Sequence, residues 1–373
     1  MVGLQDKPLI TTVIPTHRRP RLLRRAILSA LSQTYSNILV CVYDNASGDE
    51  TEAMVAAIAR SDGRVRYFKH AENIGYVDNF IHGIREVTTP YFSILSDDDV
   101  LTPQFYEVAM VGFLQHPSAM FSALDVVKIS DSNAILAGPI WPEKSGSTYY
   151  APGEAFEGVA KGQIPVPWVG TMFRRAVIDE LGPPNPDAGP FLNDDFILHA
   201  AARYACVVSA AIGCLVTESH NSTGAGFPAL NANMCRWWET VLQDILADPE
   251  IPDRIRQGVR QMLALDLRRI AIQQMVQGVG CFSHRDIEYA RQAAVGVGEC
   301  GYPVTSTLLR LAVWLHANFP PVRVVFGQLV SRRKLRTAEQ RALLAQRYIH
   351  LTEYLGALEA RGADSLVSVD HPS

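Results

Sequence analysis

The chain has 373 residues, 48% of them hydrophobic and 19% charged, with a formal net charge of −4. That composition excludes a disordered, collagen-like or disulfide-stapled chain, and the acidic balance disfavours a nucleic-acid binder, which needs a basic face. At roughly 150 residues per domain, the length predicts two domains or one α/β domain with an appendage. Charge is unevenly spread. Up to residue 230 there are 17 Lys+Arg against 24 Asp+Glu, and beyond it 17 against 14. The two regions are expected to meet different partners.

In chain order, β-rich runs fall at Leu9–Ile14, Ile38–Tyr43, Val65–Phe68, Tyr91–Leu95 and Met120–Ile129, with helical patterns between them. Leu22, Leu23, Ala26, Ile27, Ala30 and Leu31 make one apolar helix face, with Arg21, Arg24 and Arg25 read off it. Ser47-Gly48-Asp49-Glu50 reads as a capping box feeding a helix over Ala53–Ala59. Residues 131–170 are rich in Pro, Gly and Ser and predict a loop with a short helix. Phe173–Leu181 reads as a helix, Gly182–Pro190 as a turn-rich loop, Asp194–Tyr204 as a helix and Cys206–Thr217 as one or two strands. Beyond 228 the pattern is helical almost throughout, near 229–247, 253–278, 284–297, 304–317 and 337–360. The expected domains are 1–228 and 229–362, followed by a flexible tail over 363–373.

Six cysteines (Cys41, Cys206, Cys214, Cys235, Cys281 and Cys300) form no C-x-x-C pair and predict buried free thiols in a reducing cytosol. Met1–Pro8 lacks the apolar core of a secretion signal, and no run of about 18 uncharged apolar residues exists. A cytoplasmic protein is expected, either free or at the inner face of the membrane.

Strand–helix alternation predicts a mostly parallel, Rossmann-like sheet covered on both faces, whose ligands sit beyond the carboxyl ends of the strands. Those ends carry Pro15-Thr16-His17-Arg18-Arg19, Asp44-Asn45, Asn73-Ile74-Gly75 and Ser96-Asp97-Asp98-Asp99. Three successive aspartates repel one another unless solvated or neutralised. They read either as an exposed turn capping the helix near Pro103 or as a divalent-metal site joining carboxylates to substrate phosphates. Asp44 reads either as a turn residue or as an acceptor for a base imino N–H or ribose hydroxyl. The first turn has neither G-x-G-x-x-G nor G-x-x-x-x-G-K-[ST], which disfavours dinucleotide dehydrogenases and P-loop enzymes. Without a glycine cradle, a diphosphate needs a metal to neutralise it.

Leu9–Pro20, Asp44–Glu50, Asn73–Asn79 and Ser96–Pro103 together resemble the successive motifs of family 2 glycosyltransferases. The resemblance covers about residues 8–225 and implies the A-type nucleotide-diphospho-sugar transferase fold. It implies that Pro15, Thr16, Arg19, Asp44 and Asn73 hold the nucleotide sugar, with Asp44 biasing the base toward a pyrimidine. Ser96-Asp97-Asp98-Asp99 resembles the family's aspartate motif, although Ser96 stands where many members carry an aspartate. Asp97 is assigned to sugar or ribose with Asp98 nearby, and Asp99 to Mn²⁺ or Mg²⁺. Gly170–Arg175 resembles the acceptor-side segment, and Asn193-Asp194-Asp195-Phe196 the acidic pair whose second member is the catalytic base. That pair also reads as helix capping. His220 resembles the late histidine near metal or diphosphate, and reads equally as a solvated loop residue.

The activity implied is inverting transfer of a sugar from a nucleoside-diphosphate donor to a saccharide or lipid-linked acceptor, in cell-surface polysaccharide or glycoconjugate assembly. A silent scaffold of the same fold and a metal-dependent phosphohydrolase are the alternatives. A hydrolase needs a nucleophile that Pro15-Thr16 does not supply. Thr307–Val330, apolar but broken by Arg310 and Pro320-Pro321, precedes the basic run Ser331–Arg336. It reads as a packed hairpin, a self-association surface, or an interfacial segment meeting anionic lipid.

Overall fold

The computed structural model describes residues 7–141, 143–160, 163–218, 245, 247–277, 284–299, 301–318 and 342–367. The sheet begins with β1 (Ile10–Thr16), β2 (Ile38–Asp44), β3 (Val65–Lys69) and β4 (Tyr91–Ile94), separated by α1 (Pro20–Leu31), α2 (Thr51–Ser61) and α3 (Tyr76–Arg85). After β5 (Val100–Leu101) and α4 (Phe105–Gln115) come β6 (Phe121–Ser130), β7 (Ile135–Ala137), β8 (Ser147–Tyr150) and α5 (Glu154–Ala160). Next are β9 (Thr171–Arg174), α6 (Ala176–Leu181), a 3₁₀ turn over Pro186–Phe191, α7 (Leu192–Arg203) and β10 (Cys206–Glu218).

The strand order is β3-β2-β1-β4-β9-β6-β10-β5, with β7 on β6 and β8 on β10. The first four strands are parallel, as the β-α alternation requires. β9 then lies antiparallel between β4 and β6, while β6 and β10 are parallel to each other. β1 is buried along its whole length. It reads as a continuous β-branched run because helices cover both faces.

Three local expectations change. Of the helix expected over Phe173–Leu181, Phe173 and Arg174 are instead strand, because Met172 and Phe173 pair with strands on both sides and bury completely. The capping box does not form. Asp49 Oδ1 accepts the Thr51 N–H at 2.9 Å, and Ser47 instead donates to Asp44. Arg25, read as off the apolar face, is 4% exposed.

The chain divides into two compact units, the first comprising 1–155, 162–219 and 344–373 and the second 156–161 and 220–343. The expected boundaries placed 229–362 in one helical domain, whereas residues 344–373 fall in the first of these units. The helix Ile349–Val367 belongs to the first unit, where Leu351, Leu355 and Leu358 pack with Val100, Val127, Ile129 and Leu215. Each such side chain contributes roughly 1.5–3 kcal/mol by leaving water, so this helix completes the core under β5, β6 and β10. Tyr354 adds a hydrogen bond from its hydroxyl to the Leu101 carbonyl at 3.0 Å.

The second unit contains the helices Asp253–Gln277, His284–Glu299 and Pro303–Asn318. Gly296 permits their close approach, since a Cβ there would lie 2.8 Å from Leu267 Cδ1. Among the described residues no helix is long and apolar enough to cross a membrane. Cys41, Cys206 and Cys214 are buried free thiols, and burial raises all three above the ordinary thiol range, Cys41 to about 11. Cys235, Cys281 and Cys300 lie outside the described residues, as does most of the helix expected over 229–247.

Candidate active site

Parallel register brings the polar strand ends together. Val13 pairs with Ile94, so the residues three places on, Thr16 and Asp97, emerge side by side. Thr16 Oγ1 donates to Asp97 Oδ2 at 2.7 Å. Thr16 is itself paired with Asp44, which sets the β2 loop at the same level. Pro15 sits one position earlier, opposite Tyr43.

Arg19 Nη1 donates to Asp97 Oδ1 at 3.2 Å and to Asp98 Oδ2 at 2.9 Å. Asp99 Oδ1 accepts the Thr217 N–H at 2.7 Å, tying the triplet to the end of β10. All three carboxylates are buried. Burial, followed by the Asp98 charge, pushes Asp97 up to about 6, against the opposing pull of Arg19 and Thr16. Burial likewise raises Asp98, and burial together with the Asp98 charge raises Asp99 well above the usual carboxylate range. The exposed capping turn is excluded as a description of this triplet.

These shifts have a definite sign. Folded Asp97 keeps its proton to higher pH than the unfolded chain, so stability falls as pH rises from about 4 to 6. About two pKa units correspond to roughly 3 kcal/mol. In EDTA, Asp97→Asn is expected to gain about 2–3 kcal/mol relative to wild type between pH 4 and pH 7, read by denaturant melts. Parallel pH profiles for the two proteins would show that Asp97 ionises without penalty.

A second network surrounds Asp44. Its Oδ1 accepts the Ser47 N–H at 3.0 Å and the Ser47 hydroxyl, and its Oδ2 accepts Tyr67 Oη at 2.5 Å. Asp44 thus serves as a turn residue. Asn45 joins it to the next loop, accepting the Ile74 N–H at 2.8 Å and donating to Asn73 Oδ1 at 2.9 Å. Asn73 Nδ2 lies 3.3 Å from His17 Nε2, closing the ring of loops.

Arg18 and Ala46 adopt φ of 54° and 55°, a region that disfavours side chains with a Cβ by about 1–2 kcal/mol. Arg18 is held there by bonds from its N–H to Ser47 Oγ at 2.9 Å and from its Nε to the Ser47 carbonyl at 3.0 Å. Two strained non-glycine residues on adjacent strand-end loops are what a preorganised ligand rim accumulates.

Asp194 and Asp195 open α7, where acidic side chains suit the helix N-terminus. Asp194 is exposed and Asp195 buried. The adjacent Phe196 packs on Phe173 and Trp168 with ring centroids 5.4 and 6.1 Å away. Because Phe173 on β9 pairs with Phe92 of β4, α7 is anchored beside the strand that carries the triplet. His220 lies outside the described residues.

Residues not singled out from the sequence complete the rim. Arg25 Nη2 donates to the Asp98 carbonyl at 2.7 Å and to Thr217 Oγ1 at 3.0 Å, while Nη1 reaches Asn133 Oδ1 at 2.8 Å. Asn133 in turn donates to Glu359 Oε1 at 3.2 Å, so the C-terminal helix braces the loop that holds the aspartates. Thr217 ends a β-run, and the strand-end rule that found the other loops would have found it. Arg25 and Tyr67 have no such signal.

Three buried carboxylates whose ionisation is opposed by burial and mutual repulsion, beside one guanidinium, suit a hard divalent cation that would stabilise their charged forms. Among the described residues no three acidic, His or Cys groups converge on one point. A cation here would take one or two carboxylates and complete its shell from ligand phosphates, the habit of Mg²⁺.

The polar rim lies at a topological switch of the sheet, the place where open α/β folds take their ligands. Residues 11–182 match the family model "Glycosyl transferase family 2", so this part of the chain is similar to a family 2 glycosyltransferase domain. An uncharacterized glycosyltransferase of Rickettsia bellii is 39% identical over 112 residues, 29% of this chain and 16% of that protein. The GalNAc(5)-diNAcBac-PP-undecaprenol beta-1,3-glucosyltransferase of Campylobacter jejuni is 30% identical over 95 residues, 25% of this chain and 31% of that protein. The chain thus spans less than a third of the length of either relative.

In structure, the chain resembles S. aureus TarS 1–349 in complex with UDP-GlcNAc, with a TM-score of 0.64 and 12% identity, covering 86% of this chain and 91% of that one. It also resembles the mannosyltransferase PcManGT of Pyrobaculum calidifontis in complex with GDP-Man and Mn²⁺. There the TM-score is 0.53 at 14% identity, covering 98% of this chain and 89% of that one. At such identities the likeness establishes the fold, that of GT-A-like glycosyltransferases.

Proposed function

We propose that this protein is an inverting, metal-dependent glycosyltransferase that moves a sugar from a nucleoside-diphosphate donor to an acceptor hydroxyl in polysaccharide or glycoconjugate assembly. The observation that carries this reading is the buried Asp97–Asp99 triplet at the end of β4, beside Thr16 and Arg19. Asp44, Asn73 and Pro15 line the nucleotide side of the rim. With Asp44 engaged by Ser47 and Tyr67, its part is to fix the β2 loop that meets the base, and the pyrimidine preference carries over from the family resemblance. Asp99, with Asp97 or Asp98 beside it, would hold Mn²⁺ or Mg²⁺, which supplies charge neutralisation to the departing nucleoside diphosphate. His220 joins that side by the same resemblance.

Asp195 draws the proton from the acceptor hydroxyl as its oxygen attacks the anomeric carbon, and the donor C–O bond breaks on the opposite side. Holding donor and acceptor in line lowers the barrier further by orientation. Asp194, exposed beside it, orients the acceptor.

The helical unit suits a lipid-linked acceptor. Val304, Leu308, Leu311 and Trp314 form an exposed apolar stripe on the helix Pro303–Asn318, with Leu308 62% exposed. The basic run Ser331–Arg336 follows in sequence. An apolar stripe with Trp, followed in sequence by a run of cations, suits an anionic membrane surface. A second copy of the chain is the other occupant considered for that face.

The test has two arms. Thermal unfolding against UDP, dTDP, GDP and CMP, each with Mn²⁺ or EDTA, should show one nucleotide raising the melting temperature only with metal. At 100 times the dissociation constant the gain is about 2.7 kcal/mol. A flat panel would move the assignment to a silent scaffold or hydrolase. Cosedimentation with anionic vesicles, reversed by high salt, tests the membrane face, and a dimer without vesicle binding would redirect it to self-association.

A further inference from the structure

Arg19 stands where a cation is needed, on the solvent side of the carboxylates it meets. Its backbone is fixed by Pro20 in the first turn of α1 and by the Leu23 N–H, which donates to the Arg19 carbonyl at 2.9 Å. Its side chain reaches the triplet through a single nitrogen straddling two carboxylates, at 3.2 Å from Asp97 and 2.9 Å from Asp98. This is not the two-pronged fork that makes arginine–carboxylate pairs strong. The Arg19 side chain is 30% exposed, against 9% for Asp97 and 12% for Asp98. Thr16, Thr217 and Arg25 bond the aspartate segment from behind, while Arg19 meets its carboxylates from the more exposed side.

We propose that Arg19 is an exchangeable counter-ion, occupying the carboxylates in the donor-free protein and passing to the donor diphosphate when a divalent cation takes its place. The inference rests on the metal–diphosphate reading of the site given above. A guanidinium and a divalent cation cannot share the same carboxylate oxygens without mutual repulsion. The cation therefore meets a competitor until a nucleoside diphosphate arrives. The diphosphate offers the displaced guanidinium new anionic oxygens, for which it is well shaped. Metal and nucleotide should consequently bind with positive coupling, and by linkage each strengthens the other by the same factor.

The test is Mn²⁺ titration followed by electron paramagnetic resonance of the free ion. It uses wild type, Arg19→Gln and Arg19→Lys, each alone and with saturating UDP, dTDP or GDP. Arg19→Gln should bind Mn²⁺ alone at least about threefold more tightly, the scale of a partly exposed ion pair. It should also show reduced coupling between Mn²⁺ and the nucleotide. Arg19→Lys, which keeps the charge, should bind Mn²⁺ alone as wild type does. If Arg19→Gln binds Mn²⁺ no more tightly than a wild type that does bind it, the exchange is overturned and Arg19 is a fixed brace. If none of the proteins binds Mn²⁺ with or without nucleotide, the metal reading itself falls, and the exchange with it.

Discussion

Asp195→Asn is expected to lower sugar transfer by at least about 10³-fold while leaving nucleotide affinity within about twofold, because a positioned general base contributes about 10²–10⁴-fold. Asparagine keeps the shape of the side chain at this buried position and removes its capacity to take a proton. Asp194→Asn, at the exposed neighbour, should cost far less, since solvent there can substitute for its contacts. The experiment pairs a transfer assay with the nucleotide-induced melting shift for both variants. Equal loss of transfer and of the shift in Asp195→Asn would reassign Asp195 to donor binding or to the structure of α7. A large loss in Asp194→Asn alone would exchange the two roles.

The second large effect lies far from the rim. Leu355 is fully buried among Val100, Ile129 and Leu215, and Leu355→Ala is expected to destabilise the first unit by about 3 kcal/mol. In a unit of this size that lowers the melting temperature by roughly 6–12 °C. The matching control is Leu308→Ala at a 62% exposed position, expected within about 0.5 kcal/mol of wild type. Calorimetry of both variants decides it. A melting temperature unmoved by Leu355→Ala would mean that Ile349–Val367 is not part of the cooperative core. The same helix places Glu359 on Asn133, which meets Arg25 behind Asp98. Loss of its seat should therefore also diminish the nucleotide-induced shift.

The strand ends were legible for a definite reason. In a parallel sheet every carboxyl end points the same way, so finding β1, β2 and β4 by their β-branched runs was enough to bring Thr16, Asp44 and Asp97 to one rim. Asp97–Asp99 stood out through its place at a strand end, the mutual repulsion of adjacent aspartates and the family motif it resembles. The reading of Asp44 as either turn residue or acceptor could not be narrowed from sequence. Its contact with Tyr67, which sits on a neighbouring strand and reaches Asp44 only through the β2–β3 register, was equally invisible there.

Other parts were hidden because their cause is non-local. Phe173 and Arg174 read as the start of the helix that follows, and only the two strands flanking β9 decide otherwise. Arg25 looks like a solvated helix charge. It is buried because Asp98, Asn133 and Thr217, at least 73 residues away in sequence, converge on its guanidinium. The C-terminal helix shows the same limit, since its amphipathic pattern states that it must pack and not against what.

The sequence by itself determined the alternating β-α order, the polar strand ends and the family they resemble. Those features depend on local periodicity and on residue types that carry their chemistry with them. Tertiary structure alone decided that β9 enters the sheet antiparallel, that Ile349–Val367 returns to the first unit, and that Arg19 and Arg25 hold the aspartates from opposite sides. Each of these is a pairing between segments distant in the chain. The free energy of such a pairing comes from surfaces buried together and polar groups satisfied across the gap, and neither partner records it alone.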